Sequence, residues 1–180
     1  MSEKIKVVTP EFRADFVNVF EPSQYGKKQI CMIFNDPSVL KPIKAQIKAM
    51  VKDHFKDSKL PKNFMWGFND GDEEKDTEKY PHYAGAEYMN AKTGGDFDVT
   101  VIGPDKQEIL DTKELYNGCV CRAVITLNVY KSGKNEGVNF YLNAVQKIRD
   151  EDKLGGGGSS YNDMFETVTT VVEEEDEFDI

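Results

Sequence analysis

Three short runs place aromatic, amide and basic side chains at alternate positions. Tyr88, Asn90 and Lys92 form one; Arg122, Thr126 and Tyr130 lie along a second; Tyr141, Asn143 and Lys147 lie along a third. In extended chain, alternate side chains point to the same side. A surface built this way suits sequence-tolerant binding of single-stranded nucleic acid. Rings take stacked bases, worth about 1–3 kcal/mol each, and Lys or Arg neutralise phosphates. If the three sides coincide, three tyrosines and three basic groups share one surface, and Arg13, Lys27 and Lys28 extend the basic path. Tyrosine and threonine are also ordinary strand residues, so the same pattern fits a plain polar sheet face.

Catalytic arrangements find less material. The chain has no G-x-S-x-G, no Walker A sequence and no G-x-G-x-x-G. His54 and His82 stand far apart, and His54 falls at the edge of a helical apolar face. Asp70, Asp72, Glu73, Glu74 and Asp76 are dense enough to attract Mg²⁺ or Ca²⁺, but they lack the glycine and distal glutamate of a calcium loop. A solvated acidic loop is the better reading. A metal-dependent nuclease built on Asp70, Asp72 and Glu73 stays as an alternative. Cys119 and Cys121 form C-x-C, and Cys31 lies elsewhere. An odd cysteine count without a secretory leader argues against a disulfide framework, and the spacing argues against a four-ligand zinc site, so no metal or cofactor is expected.

Those runs must be carried by strands. Ile5–Val8, Phe12–Phe20, Gln29–Phe34, Glu87–Thr93 and Asp98–Ile102 read as strands, with Pro10 marking a bend. The strongest signal is a hairpin, Gly118–Tyr130 and Gly137–Ile148, joined through Lys131–Glu136. Cys119, Cys121, Ala123, Ile125, Leu127 and Val129 give one arm an apolar side; Val138, Phe140, Leu142 and Ala144 do so for the other. One helix begins at Asp36-Pro37, with Ile43, Ile47, Met50 and Val51 on its apolar face and lysines on the other side. Residues 60–83 read as an irregular excursion. The fold class is mainly β with one helix: a five- to six-stranded Greek-key barrel, with the OB-fold the leading case. At 180 residues, this is one domain over 1–154, a Gly/Ser linker over 155–160 (GGGGSS) and a flexible acidic tail over 161–180. No run approaches the 18 apolar residues of a membrane span.

The net charge of −9 is unevenly spread. Eight of the 32 acids lie in residues 159–180, which hold no base, and six more lie in 70–78. The remaining body carries 18 acids against 22 basic residues, so the overall acidity does not exclude a polyanionic partner. Glu173, Glu174, Glu175, Asp176, Glu177, Phe178, Asp179 and Ile180 set an apolar hook behind a run of carboxylates. Such an end can dock in a pocket with a basic rim, or fold back on a basic groove and compete with nucleic acid. Thr167–Val172 offers a strand for a neighbouring sheet edge, one route to a homodimer. A protein-interaction module whose acidic arm mimics DNA is therefore a third reading beside single-strand binding and the nuclease.

Three stretches, KIKVVTPEFRADFVNVFEP, NDGDEEKD and YNGCVCRAVITLNVYKSGKNEGVNFYLNAVQKIRDEDKLGGG, resemble the phage single-stranded DNA-binding proteins of the OB-fold type. Gly118, Arg122, Gly137, Phe140, Leu142, Asn143, Gln146 and the Arg149-Asp150 pair carry the most specific part, and the resemblance spans 4–158. It implies a barrel that coats exposed single strands without catalysis during phage DNA replication, recombination and repair. In a single-strand-coating protein of this pattern Tyr88, Tyr130 and Tyr141 would stack bases, while Arg13, Lys92, Arg122 and Lys147 would pair with phosphates. The acidic tail recruits phage or host replication and recombination proteins. The setting is the cytoplasm of the infected bacterium, with no membrane involved.

Overall fold

The computed structural model describes residues 5–56 and 59–154; the expected linker and acidic tail lie outside the described residues. Eight strands form one sheet: β1 (Ile5–Val8), β2 (Phe12–Asn18), β3 (Lys27–Phe34), β4 (Asn69–Asp70), β5 (Glu87–Gly94), β6 (Thr100–Ile102), β7 (Val120–Ser132) and β8 (Asn135–Arg149). Five of them close on themselves in the order β2-β3-β5-β8-β7 and back to β2. Every pairing in that ring is antiparallel except β5 with β8. This is the five-stranded OB barrel, with β1, β4 and β6 added on its outside. Phe12, Ile30, Met32, Met89, Ile125, Leu127, Phe140 and Leu142 fill the interior.

The helix α1 (Lys41–Phe55) joins that core through Ile43, Ile47, Met50 and Val51. Its start lies later than Pro37, because a tighter 3₁₀ turn over Pro37–Leu40 comes first. Asp36 caps that turn: its Oδ1 accepts from Ser38 N at 3.1 Å and Ser38 Oγ at 2.6 Å. Pro42 sits in the first helical turn, where no intrahelical N–H is missed. His54, expected at the apolar edge, is exposed beside Phe55. Among the described residues no helix is long and apolar enough to cross a membrane.

The hairpin is longer and its turn tighter than the composition of 131–136 predicts. Ser132 pairs with Asn135, leaving a two-residue turn whose Gly133 takes φ +62°. Right-handed strand twist favours such turns, and glycine adopts this φ without steric cost. In β8 the register slips at two places. Leu142 faces Ile125 and Ala144 faces Val124, so Asn143 is an extra residue; a second slip lies between the Val120 and Cys121 pairings. A bulge of one residue exchanges the two faces of everything beyond it.

Two further devices fix the ends of the working surface. Met65 leaves the irregular excursion to bridge Gly137: Met65 N donates to Glu136 O at 3.0 Å, and Val138 N to Met65 O at 2.7 Å. A Cβ on Gly137 would stand 2.4 Å from Met65 O, so this approach requires glycine. At the other end of β8 the chain folds back. Leu154 N donates to Asn117 O at 2.9 Å, the Tyr116 hydroxyl donates to Glu151 O at 2.9 Å, and the Arg13 guanidinium reaches Asp152 O.

Gly137→Ala is expected to lower unfolding stability by about 1–3 kcal/mol, as other overpacked sites do. Urea denaturation read by Trp66 fluorescence tests this, and an unchanged midpoint would show that Met65 is not pinned there.

Candidate nucleic-acid interface

The outer face of the sheet carries one row that crosses four strands in register. Lys92 on β5 pairs with Tyr141 on β8, Tyr141 with Thr126 on β7, and Thr126 with Lys6 on β1. Adjacent strands lie about 4.8 Å apart, so an aromatic ring is bracketed by cationic stems on both sides within roughly 10 Å. Along β7 and β8 an amide layer follows. Asn128 Nδ2 donates to Asn139 Oδ1 at 2.9 Å and approaches the Tyr141 hydroxyl at 3.4 Å; Thr126 Oγ1 donates to Asn143 Oδ1 at 2.7 Å. These bonds hold the floor of an open groove of about 1130 Å³.

One wall is the Met65–Asn69 segment, which brings Trp66 and Phe68 alongside the floor. Trp66 packs edge-on against Phe64 with ring centroids 5.0 Å apart, and the Tyr130 hydroxyl meets Met65 Sδ at 3.5 Å. The opposite wall is the β5–β6 turn, where Phe97 is 67% exposed. The buried Lys28 holds that turn by donating to Phe97 O at 2.7 Å. Lys6, Lys27 and Lys92 are the charged lining residues, and among the described residues no carboxylate lines the groove. A concave, positively charged trough with rings on its floor and both walls can neutralise a phosphodiester chain and stack its bases.

Of the residues singled out from the sequence, Lys92, Tyr130 and Tyr141 meet in this groove. Arg122 lies further along the outer face of β7, exposed, and bonds Gln146 Oε1 at 2.7 Å. Three others point elsewhere. Counting by twos from Tyr141 puts Lys147 on the groove face, but the bulge at Asn143 turns it to the side of Cys121. There it ion-pairs with Asp150 at 2.6 Å and lies over the Tyr116 ring. Arg13 is spent on the returning chain end, donating to Gly118 O at 3.0 Å as well as to Asp152 O.

Tyr88 keeps the alternation with Asn90 and Lys92 but is covered, at 8% exposure, by the excursion folding over that half of β5. It belongs to a second small core with Cys31, Ile33, Tyr83 and Ala86. Burial raises the Tyr88 phenol pKa and pushes the Cys31 thiol up to about 12. The acidic loop stitches this cover together. Asp70 caps the short helix α2 (Gly71–Glu74) by accepting from Asp72 N at 2.9 Å, and Asp72 accepts from Gly85 N at 3.1 Å. Among the described residues no group of three ligating side chains is placed to hold a metal ion.

Trp66, Phe68, Phe97, Lys6 and Asn139 line the groove without having been singled out as binding residues. Trp66 and Phe68 fall in the stretch read as irregular, and Phe97 between two aspartates. The W-G-F spacing around Gly67, with the chain's single tryptophan, was the available signal.

The family described by the single-stranded DNA-binding protein of Enterobacter phage Enc34 matches residues 5–178. The chain belongs to this family. The fold is also that of several solved structures. The single-stranded DNA-binding protein of bacteriophage Enc34 superposes with a TM-score of 0.67 at 21% identity, over 86% of this chain and 85% of that one. The same phage protein in complex with single-stranded DNA gives 0.66 at 21%, over 84% and 89%. The gp2.5 single-stranded DNA-binding protein of bacteriophage T7 gives 0.65 at 14%, over 92% and 97%. No curated protein sequence matches the chain. At these identities the likeness to the solved structures is one of fold.

The cover over Tyr88 also holds a titratable contact. His82 Nε2 is shut from solvent without a hydrogen-bond partner, 3.7 Å from Asp15 Oδ2, and the Tyr83 hydroxyl donates to that same oxygen at 2.6 Å. Burial holds the His82 pKa below the ordinary histidine value, outweighing the pull of Asp15. A depressed folded-state pKa means that the unfolded chain takes up the proton first. Stability from this site is therefore complete above the ordinary histidine pKa and is lost as pH falls through the folded-state value. The melting temperature of the wild-type protein should drop more steeply between about pH 7.5 and 5 than that of His82→Gln. Parallel pH profiles would remove His82 from this account.

Proposed function

We propose that this protein binds and coats single-stranded DNA with little sequence preference and acts without catalysis. The observation that carries the reading is the Lys92–Tyr141–Thr126–Lys6 row, set in a groove free of carboxylates among the described residues. Family membership and the solved complex of the Enc34 protein with single-stranded DNA support it. Tyr141, Tyr130, Phe97 and Trp66 offer rings to bases, while Lys6, Lys27 and Lys92 run beside the phosphates. The amides of Asn139 and Asn143 are already engaged by Asn128 and Thr126. That engagement makes the floor rigid, and stacking then dominates over base reading. Duplex DNA cannot lay its bases on these rings, because they are stacked and paired within the helix.

The proposal extends to phage DNA replication, recombination and repair in the infected bacterial cytoplasm. Residues 173–180 would recruit the partner proteins through carboxylates followed by Phe178 and Ile180. The charge pattern supports this, since the acids of 159–180 are segregated from a body whose groove is basic.

Titrating the protein with oligo-dT, read by quenching of Trp66 and the tyrosines at two salt concentrations, tests the central claim. Affinity should fall steeply with salt, and Tyr141→Ala and Phe97→Ala should each cost about 1–3 kcal/mol of binding. Tyr88→Phe, altering a covered ring, should bind within roughly twofold of wild type, since it leaves the stacking groups intact. Equal affinity for duplex and single strand would overturn the reading.

A further inference from the structure

We propose that the lysine-bearing flank of α1 is a second, electrostatic track for the same single strand, taking its phosphates where it leaves the groove past Phe68. The inference rests on the groove being the single-strand site. Lys44, Lys48, Lys52 and Lys56 recur at every fourth residue, and Lys41 falls on the same flank at 100° per residue. Each step rises about 6 Å, so the helical ridge from Lys44 to Lys52 runs for roughly 12 Å, and Lys56 follows as the C-cap at φ +48°. Ile43, Ile47, Met50 and Val51 turn the other way, into the core. Asp53 lies about 180° around the helix from Lys44 and about 100° from Lys52, off the flank that carries Lys44, Lys48 and Lys52. Beyond the helix, Lys59 and Lys62 are both exposed.

Continuity with the groove is the deciding observation. Lys44 Nζ lies 5.0 Å from the centroid of the Phe68 ring and 2.7 Å from Glu87 Oε1. Phe68 and Asn69 are groove-lining residues, so the ridge begins at the groove's own rim. Glu87 neutralises that first lysine. Among the described residues, no carboxylate forms an ion pair with Lys48, Lys52 or Lys56. A row of ammonium groups without an ion-pair partner among the described residues, beginning where a polyanion would emerge, has the complementary charge for its backbone. The ring on this flank, Phe55, is packed edge-on against His54 and Phe64, so the flank contributes to affinity, reach and salt dependence, and not to base recognition.

Lys48→Ala/Lys52→Ala/Lys56→Ala in the full chain tests the track, since alanine keeps helix propensity high. Two oligo-dT lengths separate it from the groove: one of about 6 nucleotides, within a single barrel's site, and one of about 24, beyond it. Each phosphate of a single strand that is deprived of its lysine lowers the slope of log affinity against log salt by about 0.7. The variant should therefore show a slope smaller by about 2 on the long oligomer, with roughly tenfold weaker binding at low salt. Its binding of the short oligomer should match wild type. An unchanged slope on the long oligomer, or equal weakening at both lengths, overturns the track. Unchanged slopes with abolished binding to an acidic peptide would assign this flank to a protein partner and overturn it equally. Wild-type protein that binds neither oligomer defeats the groove reading itself, a separate outcome.

Discussion

The β7–β8 hairpin bears the rest of the molecule. Its two strands pair over nearly their whole length, and each also pairs with another part of the ring: β7 with β2, and β8 in parallel with β5. Barrel closure and groove floor are consequently the same event. Inward side chains such as Ile125, Leu127, Phe140 and Leu142 supply the apolar burial that holds the ring shut. Outward side chains of the same strands, Thr126 with Tyr141 and Asn128 with Asn139, form the floor. A rigid closed sheet is what allows a small aromatic and amide set to keep its spacing without a ligand present.

The excursion between α1 and β5 divides that outer face in two. Near Tyr88 it lies down on the sheet and seals it, its own Tyr83 bonded to Asp15 and Cys31 beneath. Near Tyr130 it stands beside the sheet as a wall, held by Met65 on Gly137 and by Phe68 under Lys44. One irregular stretch therefore both closes the unused half and shapes the used half. Asp70, Asp72 and Asp76 serve the closed half by accepting from backbone N–H groups, so part of this dense set of carboxylates is engaged away from the basic groove.

Period-two alternation made the hairpin, its apolar side and the presence of Tyr130 and Tyr141 on one face legible from sequence, and the 3.6-residue period did the same for α1. Local pattern stops where a fact is non-local. The slip at Asn143 that diverts Lys147 leaves no mark in composition, because a bulge is an offset between two strands. Tyr88 obeys the alternation, yet its fate depends on a loop arriving from elsewhere. Arg13 is claimed by carbonyls more than a hundred residues away. The wall residues Trp66 and Phe68 escaped for the same reason: they have no strand period, and their position comes from a bridge to Gly137.

The fold-back at the end of β8 has its own consequence. Gly118, at φ +116°, lets Asp152 and Leu154 lie against it so closely that a Cβ would meet Asp152 O at 2.2 Å. Asn117, Tyr116 and Arg13 fasten the same few residues, none of which lines the groove. The 26 residues that follow Leu154 thus start from a fixed tether point instead of a fraying strand end.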